Sequence, residues 1–359
     1  MRYVIMGGGA LGSVLGAHLV SGGERVTVVD DEPARIRALR RGGIRITGFR
    51  SGVTDPVETL APQDLRDLAP LETVLVCVKP FAMETAVSTL LPFCNPETVF
   101  VSFTGGLTPF RLGQLAGAPR SVIAVANFEA RLREGGEVET GFHNFIWLGE
   151  LDGTSSDRLL RLQTSLSWVA PTLVTKVVAG MVWSKALYSL EVALSTVVDD
   201  PPLEVFRQPV ARRLAAALVR ENLDLADAAG VYPVAFDFFD PNLYRARTDG
   251  EGSVMDIWIK NAWARHEAFR DGFEYTFPAK AGISWSLSPV NPVQETTSLI
   301  GDLLSSAEDL SIPLLLTEQF GALYREITHG QRAQSWDNIQ ELARRCAALG
   351  ISVPGPMEI

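Results

Sequence analysis

Cysteine and histidine are scarce in this chain, with three cysteines (Cys77, Cys94 and Cys346) and four histidines among 359 residues. The cysteines are odd in number, widely spaced and without metal-ligand spacing. A disulfide framework is therefore excluded, and reduced thiols in a cytoplasmic protein are expected. The histidines show no H-E-x-x-H or paired spacing, so no metal site is expected. No apolar run reaches membrane-spanning length. The first strand-like run begins at residue 2, which leaves no room for a leader, so no membrane partner is expected either. Long basic blocks are also missing, and the formal net charge is −10, which argues against a nucleic-acid partner. What remains is a composition 47% hydrophobic and 21% charged, ordinary for a globular protein, in a chain long enough for two domains.

The first thirty residues carry the strongest pattern. Tyr3–Met6 reads as a short buried strand, followed by Gly7, Gly8 and Gly9 and then a helical stretch through Val20. Gly22 and Gly23 end that helix, and Val26–Val29 makes a second strand that stops at Asp30. Gly7, Gly9 and Gly12 thus form a G-x-G-x-x-G between two strands, with a carboxylate eighteen residues after Gly12. Gly7 permits the tight turn, Gly9 lets backbone approach a pyrophosphate, and Gly12 lets the helix pack closely on the sheet. The N–H groups around Ala10 and Leu11 at the helix start would face the phosphates. Asp30 would accept the ribose diol and repel a 2′-phosphate. Asp31 adds to the repulsion, and Arg35 or Arg37 would be needed to reverse it, so NAD is favoured over NADP.

Further along, strand-like runs at 71–78, 98–103, 122–126, 138–140 and 145–148 alternate at first with helices at 33–41 and 83–91 and a polar helix at 109–115. That alternation predicts a doubly wound parallel sheet, with the later closely spaced strands as an antiparallel extension. Short strand pieces near 44–46 and 53 suggest a hairpin. From Val177 the pattern becomes helical, over 180–198, 206–229, 293–309, 314–327 and 334–349. The expected organisation is α/β, with a dinucleotide-binding domain over 1–177 and an all-α domain over 178–359. The second domain carries an aromatic-rich insertion at about 233–292. Phe236, Phe238, Phe239, Tyr244, Trp258, Trp263, Phe269, Phe273, Tyr275, Phe277 and Trp285 are either core between long helices or the wall of a pocket for an apolar substrate. The long apolar helices are compatible with a homodimer and do not select it over a monomer.

In a doubly wound sheet, ligands bind beyond the carboxyl ends of the strands. That rule selects Gly7–Gly12, Asp30, Lys79 and Thr104-Gly105-Gly106. Lys79 would meet phosphate or ribose oxygens, and the glycine pair suits passage of backbone beside a nicotinamide or a plain turn. Reducing a ketone needs a cation that can donate a proton. Lys185, inside an apolar helix, is either that donor with a lowered pKa or a side chain that snorkels to the surface. Its neighbours at helical spacing include Tyr188, Ser189, Ala193 and Thr196, of which the hydroxyls offer hydrogen bonds to a carboxylate or alcohol.

These motifs resemble those of the ketopantoate reductase (2-dehydropantoate 2-reductase) family over most of the chain. The resemblance implies a Rossmann domain led by Gly7, Gly9 and Gly12. It implies a cofactor contact at Val78-Lys79 and a catalytic lysine in Trp183-Ser184-Lys185. It also implies a late glutamate, Glu295, ahead of Gly301 and Ile312-Pro313, that binds ribose near the nicotinamide. Ser253 in Ser253-Val254-Met255-Asp256 resembles the serine of the family's S-x-M-x-x-D stretch. Several positions depart from the pattern. The family's Gln-Asn-Gly is Phe103-Thr104-Gly105 here, and its substrate-binding asparagines are Ser189 and Ala193. Asp30-Asp31 replace the basic residue that favours NADP, the chain is longer than expected between Ser253 and Glu295, and a C-terminal tail is added.

The function expected from this combination is hydride transfer between NAD and a small 2-oxo or 2-hydroxy acid. Lys185 and Glu295 would be the catalytic residues, and Lys185, Ser189, Thr104 and Ser253 the substrate contacts. Loss of the amides predicts a bulkier, more apolar acid than ketopantoate. The alternatives are genuine 2-dehydropantoate reduction, a non-catalytic NAD(P)-binding sensor, and opine-type reductive amination, for which His266 is the one candidate histidine in the aromatic stretch.

Overall fold

The computed structural model describes residues 1–133, 135–235, 239–245 and 295–351. Ser253, His266, Phe236, Phe238 and the aromatics from Trp258 to Trp285 lie outside the described residues. The chain divides into two compact units, Met1–Val178 and Ala179–Ile359. No described helix is long and apolar enough to cross a membrane.

The first unit is built on one ten-stranded sheet. Its strands are β1 (Arg2–Met6), β2 (Arg25–Val29), β3 (Arg45–Gly48), β4 (Gly52–Val53), β5 (Glu58–Leu60), β6 (Thr73–Val76), β7 (Val99–Ser102), β8 (Ser121–Leu132), β9 (Val138–Glu150) and β10 (Thr172–Val174). The order β5-β2-β1-β6-β7-β8 is parallel throughout. β9 returns antiparallel to β8; β3 pairs in parallel with its first residues and β10 with its later ones, and β4 closes a hairpin on β3. The central strands are apolar at successive positions because both faces are covered. Tyr3, Ile5, Val28 and Leu75 face a core shared with helix α1 (Ala10–Ser21) and α4 (Asp157–Leu166). Val4, Val74, Val76 and Phe100 face the other core, with Met83, Val87 and Leu90 of α3 (Met83–Leu90). Each fully buried large aliphatic or aromatic side chain stabilises the fold by about 1.5–3 kcal/mol.

The chain visits β1, β2 and β5 on one side before crossing back to β6 on the other side of β1. The strand order therefore reverses between β1 and β6, and ligands of such sheets bind at that switch point. Helix α2 (Pro33–Gly42) connects β2 to the β3–β4 hairpin.

Three elements of this unit escaped the sequence pattern: β5, β10 and α4. The two strands are three residues each, too short to show a period. The helix was readable, since Ser156 caps it through the Leu159 N–H (3.3 Å) and Leu159, Leu162 and Leu166 fall at helical spacing. Conversely, the separate strand pieces at 138–140 and 145–148 are one strand, and the 109–115 segment consists of short tight and wide turns flanking Arg111-Leu112.

The elements described in the second unit are helices: α5 (Val178–Ser195), α6 (Pro202–Arg207), α7 (Pro209–Ala228), α8 (Pro241–Arg245), α9 (Glu295–Asp309), α10 (Leu315–Thr328) and α11 (Trp336–Ala348). The long helix expected over 206–229 breaks at Gln208, whose backbone is extended because Pro209 follows it. Pro209 then starts α7, where its missing N–H costs nothing. Gly230 ends α7 in the left-handed region (φ +72°).

Candidate functional site

Strand register gathers most of the cofactor candidates on one sheet edge. Val29, Met6, Val76 and Ser102 are successive partners across β2, β1, β6 and β7, so these strands end level. Asp30, Gly7, Cys77 and Phe103 are the next residues, and Lys79 and Thr104 follow immediately. From β2 to β7 the row spans three strand spacings of roughly 4.8 Å each.

The glycine turn forms the centre of this row. Gly7 has φ +103° and donates its N–H to Val29 O at 2.8 Å; a Cβ there would stand 2.9 Å from Cys77 O. Gly12 is required for a different reason than helix packing alone: a Cβ at this position would collide with the Gly7 carbonyl oxygen and press on Ile5. Gly16 shares the close helix–sheet packing, since a Cβ there would lie 3.0 Å from Ile44 and 3.3 Å from Ile5. Gly9 is the N-cap of α1, has no capping side chain to offer, and a Cβ on it would meet no atom within 4 Å. The helix start at Ala10 and Leu11 thus presents backbone N–H groups and the positive dipole end to open space, which fits a pyrophosphate.

Asp30 is tied into this turn. Its Oδ2 accepts the Gly8 N–H at 2.7 Å and its Oδ1 accepts the Glu32 N–H at 2.9 Å. A carboxylate has about four lone-pair sites, so two remain for a ribose diol. Lys79 is exposed at the end of the β6 segment. Burial pushes the thiol of Cys77, two residues earlier, well up from the usual thiol range. Thr104 is buried, with its hydroxyl 2.8 Å from Ser102 Oγ. Gly105 has open space where a Cβ would be, and Gly106 turns the chain at φ +63°.

In the second unit, α5 carries Trp183-Ser184-Lys185. Trp183 and Ser184 are buried. The Ser184 hydroxyl donates to Val234 O at 2.6 Å and accepts the Val234 N–H at 2.8 Å, clipping the 231–235 segment onto the helix. Gly180, one turn earlier, makes room for that segment, since a Cβ there would collide with Tyr232 O. Lys185 is half-buried, and Ser189, one turn on, is half-buried too. Ala193 is fully buried. Thr196 is not available to a ligand: it is buried beyond the end of α5, and its hydroxyl donates to Ala193 O at 2.7 Å. Tyr188 packs against Phe239, with ring centroids 6.1 Å apart, and Phe239 against Tyr244 at 5.3 Å. Glu295 is the first residue of α9; its side chain, like Ser253, lies outside the described residues.

Sequence reasoning missed two partners of these groups. Ser102 is the hydroxyl that holds Thr104. Glu191 is a buried carboxylate that accepts the Tyr244 hydroxyl at 2.6 Å, and burial together with that charge pushes the Tyr244 pKa well up. Arg35, weighed in the sequence against the acids after β2, lies in the first turn of α2 with its Cδ 3.4 Å from where a Cβ on Gly8 would be. Only Glu191, a charge amid the apolar run of α5, left a signal that could have been followed.

A parallel sheet with a glycine turn at its switch point and a carboxylate ending the second strand defines a Rossmann-type dinucleotide-binding protein. Residues 3–153 match the model of the family described as ketopantoate reductase PanE/ApbA. A 2-dehydropantoate 2-reductase of Halobacterium salinarum is 24% identical over 233 residues, 64% of this chain and 77% of its own. The uncharacterized oxidoreductase YkpB of Bacillus subtilis is 22% identical over 236 residues, 64% of this chain and 76% of its own. Among solved structures, D-mandelate dehydrogenase with NADH and anilino(oxo)acetate superposes with a TM-score of 0.73 at 14% identity, covering 96% of this chain and 100% of that one. A 2-dehydropantoate 2-reductase from Geobacter metallireducens gives 0.71 at 22% identity, covering 91% and 99%. Over residues 3–153 the chain is thus similar to the ketopantoate reductase family, and over its length it shares the fold of these structures.

Proposed function

We propose that this chain is an NAD(P)-dependent reductase of 2-oxo acids, acting on an acid more apolar than ketopantoate. The observation that carries the reading is the level row of strand ends, which lines up Asp30, the glycine turn, Lys79 and Thr104 as a dinucleotide requires. When bound, the nicotinamide supplies the hydride that reduces the substrate carbonyl carbon. Lys185 gives a proton from its ammonium to the carbonyl oxygen and stabilises the alkoxide as charge develops. Glu295 holds the ribose near the nicotinamide or orients Lys185. Asp30 favours the free ribose diol of NAD, and Lys79 meets phosphate or ribose oxygens.

The substrate shift rests on α5. Of the two places where the family resemblance puts substrate-binding asparagines, one is the fully buried Ala193 and the other is Ser189, which keeps a single hydroxyl. Thr104 likewise offers a hydroxyl where the family has an amide, and Ser253 matches the family's own serine, so the proposed substrate contacts are hydroxyls. D-mandelate dehydrogenase, by its name an enzyme of an aryl-substituted hydroxy acid, shares the fold and supports the same direction. The second reading is true 2-dehydropantoate reduction, favoured by the curated relative of that name and served by Ser189 and Thr104.

Lys185→Ala is expected to lower kcat by about 10²–10⁴-fold, the usual worth of a positioned general acid, with NADH affinity within about twofold of the parent. Stopped-flow reduction and fluorescence titration of NADH check the two halves; full turnover in the variant overturns the assignment. Steady-state rates with ketopantoate and phenylglyoxylate, each with NADH and NADPH, separate the two substrate readings. NADH binding without oxidation by any oxo acid would leave the sensor alternative.

A further inference from the structure

Along α5, every residue from Gly180 to Ser195 is buried except Lys185, Tyr188 and Ser189. These three stand at i, i+3 and i+4, so they are neighbours on one face, with Cβ atoms roughly 5–6 Å apart. The open face of the helix thus consists of the lysine proposed above as proton donor, one hydroxyl and one aromatic ring. The lysine and the hydroxyl have roles in that reading. The ring has none.

Tyr188 is backed by a ladder that begins and ends on the same helix. Its ring meets that of Phe239 at 6.1 Å between centroids, with the planes tilted by 60°. Phe239 meets Tyr244 at 5.3 Å, and the Tyr244 hydroxyl donates to Glu191 Oε2 at 2.6 Å. Tyr188 and Glu191 lie one turn apart on α5, so the two intervening rings are clasped between two points of one rigid element. Arg245 ties the far end of the segment to α7 by donating to Asp227 Oδ1 at 2.7 Å. Phe239 and Glu191 are 3% exposed and Tyr244 2%, so of the two meanings open to these aromatics, Phe239 and Tyr244 are core. What they support is the half-open ring of Tyr188. A ring already fixed by packing on one side loses little freedom when a ligand covers the rest of it.

We propose that Tyr188 is the specificity-determining residue of this face, its ring the wall against which a 2-oxo acid bearing an aryl group on its carbonyl carbon packs. The inference rests on the reductase reading above and narrows its substrate from an apolar acid to an aromatic one. A second ring gains offset or edge-to-face contact with Tyr188 worth roughly two- to tenfold beyond its burial, which a saturated group of the same bulk does not. A hydroxylated aliphatic side chain finds a single hydroxyl on the same face, that of Ser189, because Ala193 is sealed.

The test is steady-state kcat/KM of the full chain, Tyr188→Leu and Tyr188→Phe with phenylglyoxylate and cyclohexylglyoxylate, two acids of like size of which one is aromatic. Each protein is read by its ratio of the two constants. A loss of folded enzyme lowers both constants and leaves the ratio alone, and comparison with the parent cancels the intrinsic difference between the two carbonyls. Tyr188→Leu is expected to lower the phenyl-to-cyclohexyl ratio by roughly two- to tenfold. Tyr188→Phe, which keeps the ring, should restore the ratio to near the parent's. Should the leucine variant not fold, Tyr188→Met fills the same space without a ring and carries the same expectation. A ratio unchanged in the ringless variant, or a parent that reduces ketopantoate and neither of the cyclic acids, overturns the inference while the reductase reading stands. A parent that oxidises neither NADH nor NADPH with any oxo acid overturns both.

Discussion

Gly9 and Gly12 stand three residues apart in one motif and answer to different demands. Gly9 has nothing within 4 Å of where a Cβ would be and an ordinary negative φ of −66°, so alanine fits the ligand-free chain. On the proposed reading, the space it fills is the space a phosphate would need. Gly12 is closed off by the Gly7 carbonyl within the chain itself. Gly9→Ala is therefore expected to leave the thermal midpoint unchanged and to lower NADH affinity at least tenfold. Gly12→Ala should lower the midpoint by several degrees as well, by displacing the turn. Calorimetry and thermal melts on the pair check this. The spacing of the motif was legible in sequence; which glycine serves the ligand and which serves the turn was not, because that depends on where the Gly7 carbonyl points. His18 is a second residue with a measurable signature. Burial, reinforced by Arg50, lowers its pKa from 6.5 to about 4. The folded chain holds it neutral while the unfolded chain protonates it. Its contribution is thus complete above pH 6.5 and lost as pH falls toward 4. Denaturant midpoints for His18→Leu should vary less over that window than those of the parent.

At the scale of elements, the legible parts were those with a long period or a sharp punctuation. Helices α1, α2, α3 and α7 show capping prolines, glycine stops or apolar spacing, and their bounds fall within a few residues of the pattern. β5 and β10 were invisible because a three-residue strand owes its conformation to the neighbour it pairs with, β2 or β9, and not to its own side chains. The start of α10 was readable from Ile312-Pro313, but not what holds it. Glu221, on α7, accepts N–H groups of Leu316 and Thr317 at 2.8 Å each and the Thr317 hydroxyl at 2.7 Å, capping α10 from a distance of 95 residues in sequence. Burial raises the Glu221 pKa and these donors pull it back part of the way. Glu221→Ala should cost about 1–2 kcal/mol, comparable to the loss of a good N-cap. Urea unfolding followed by tryptophan fluorescence measures it.

For the whole molecule, ligand binding and folding are linked. A dinucleotide that binds only the folded chain adds about 2.7 kcal/mol at a concentration a hundred times its Kd. Saturating NADH should accordingly raise the thermal midpoint by several degrees, and by much less in Gly9→Ala; a midpoint indifferent to NADH and NADPH would contradict the dinucleotide assignment. The candidate residues of the first unit were the more legible because a parallel sheet delivers them by rule: strand ends, glycines and a carboxylate. The candidates of the second unit depend on which faces of α5 are covered. Sequence placed Lys185, Ser189 and Thr196 on one helical stripe, while packing left Lys185 and Ser189 half-open and sealed Thr196 against its own backbone.

The bond from the Gly8 N–H to Asp30 bears on how this lineage can change its cofactor. On the proposed reading, residue 30 is where trading the acid for a neutral or basic side chain would alter the preference between NAD and NADP. That exchange would also remove the acceptor that braces the glycine turn, so a single step toward a new preference is expected to weaken the grip on either dinucleotide. The accessible evolutionary and engineering routes run through Asp31 and the arginines of α2, with Asp30 retained as a fixed hinge-pin of the turn.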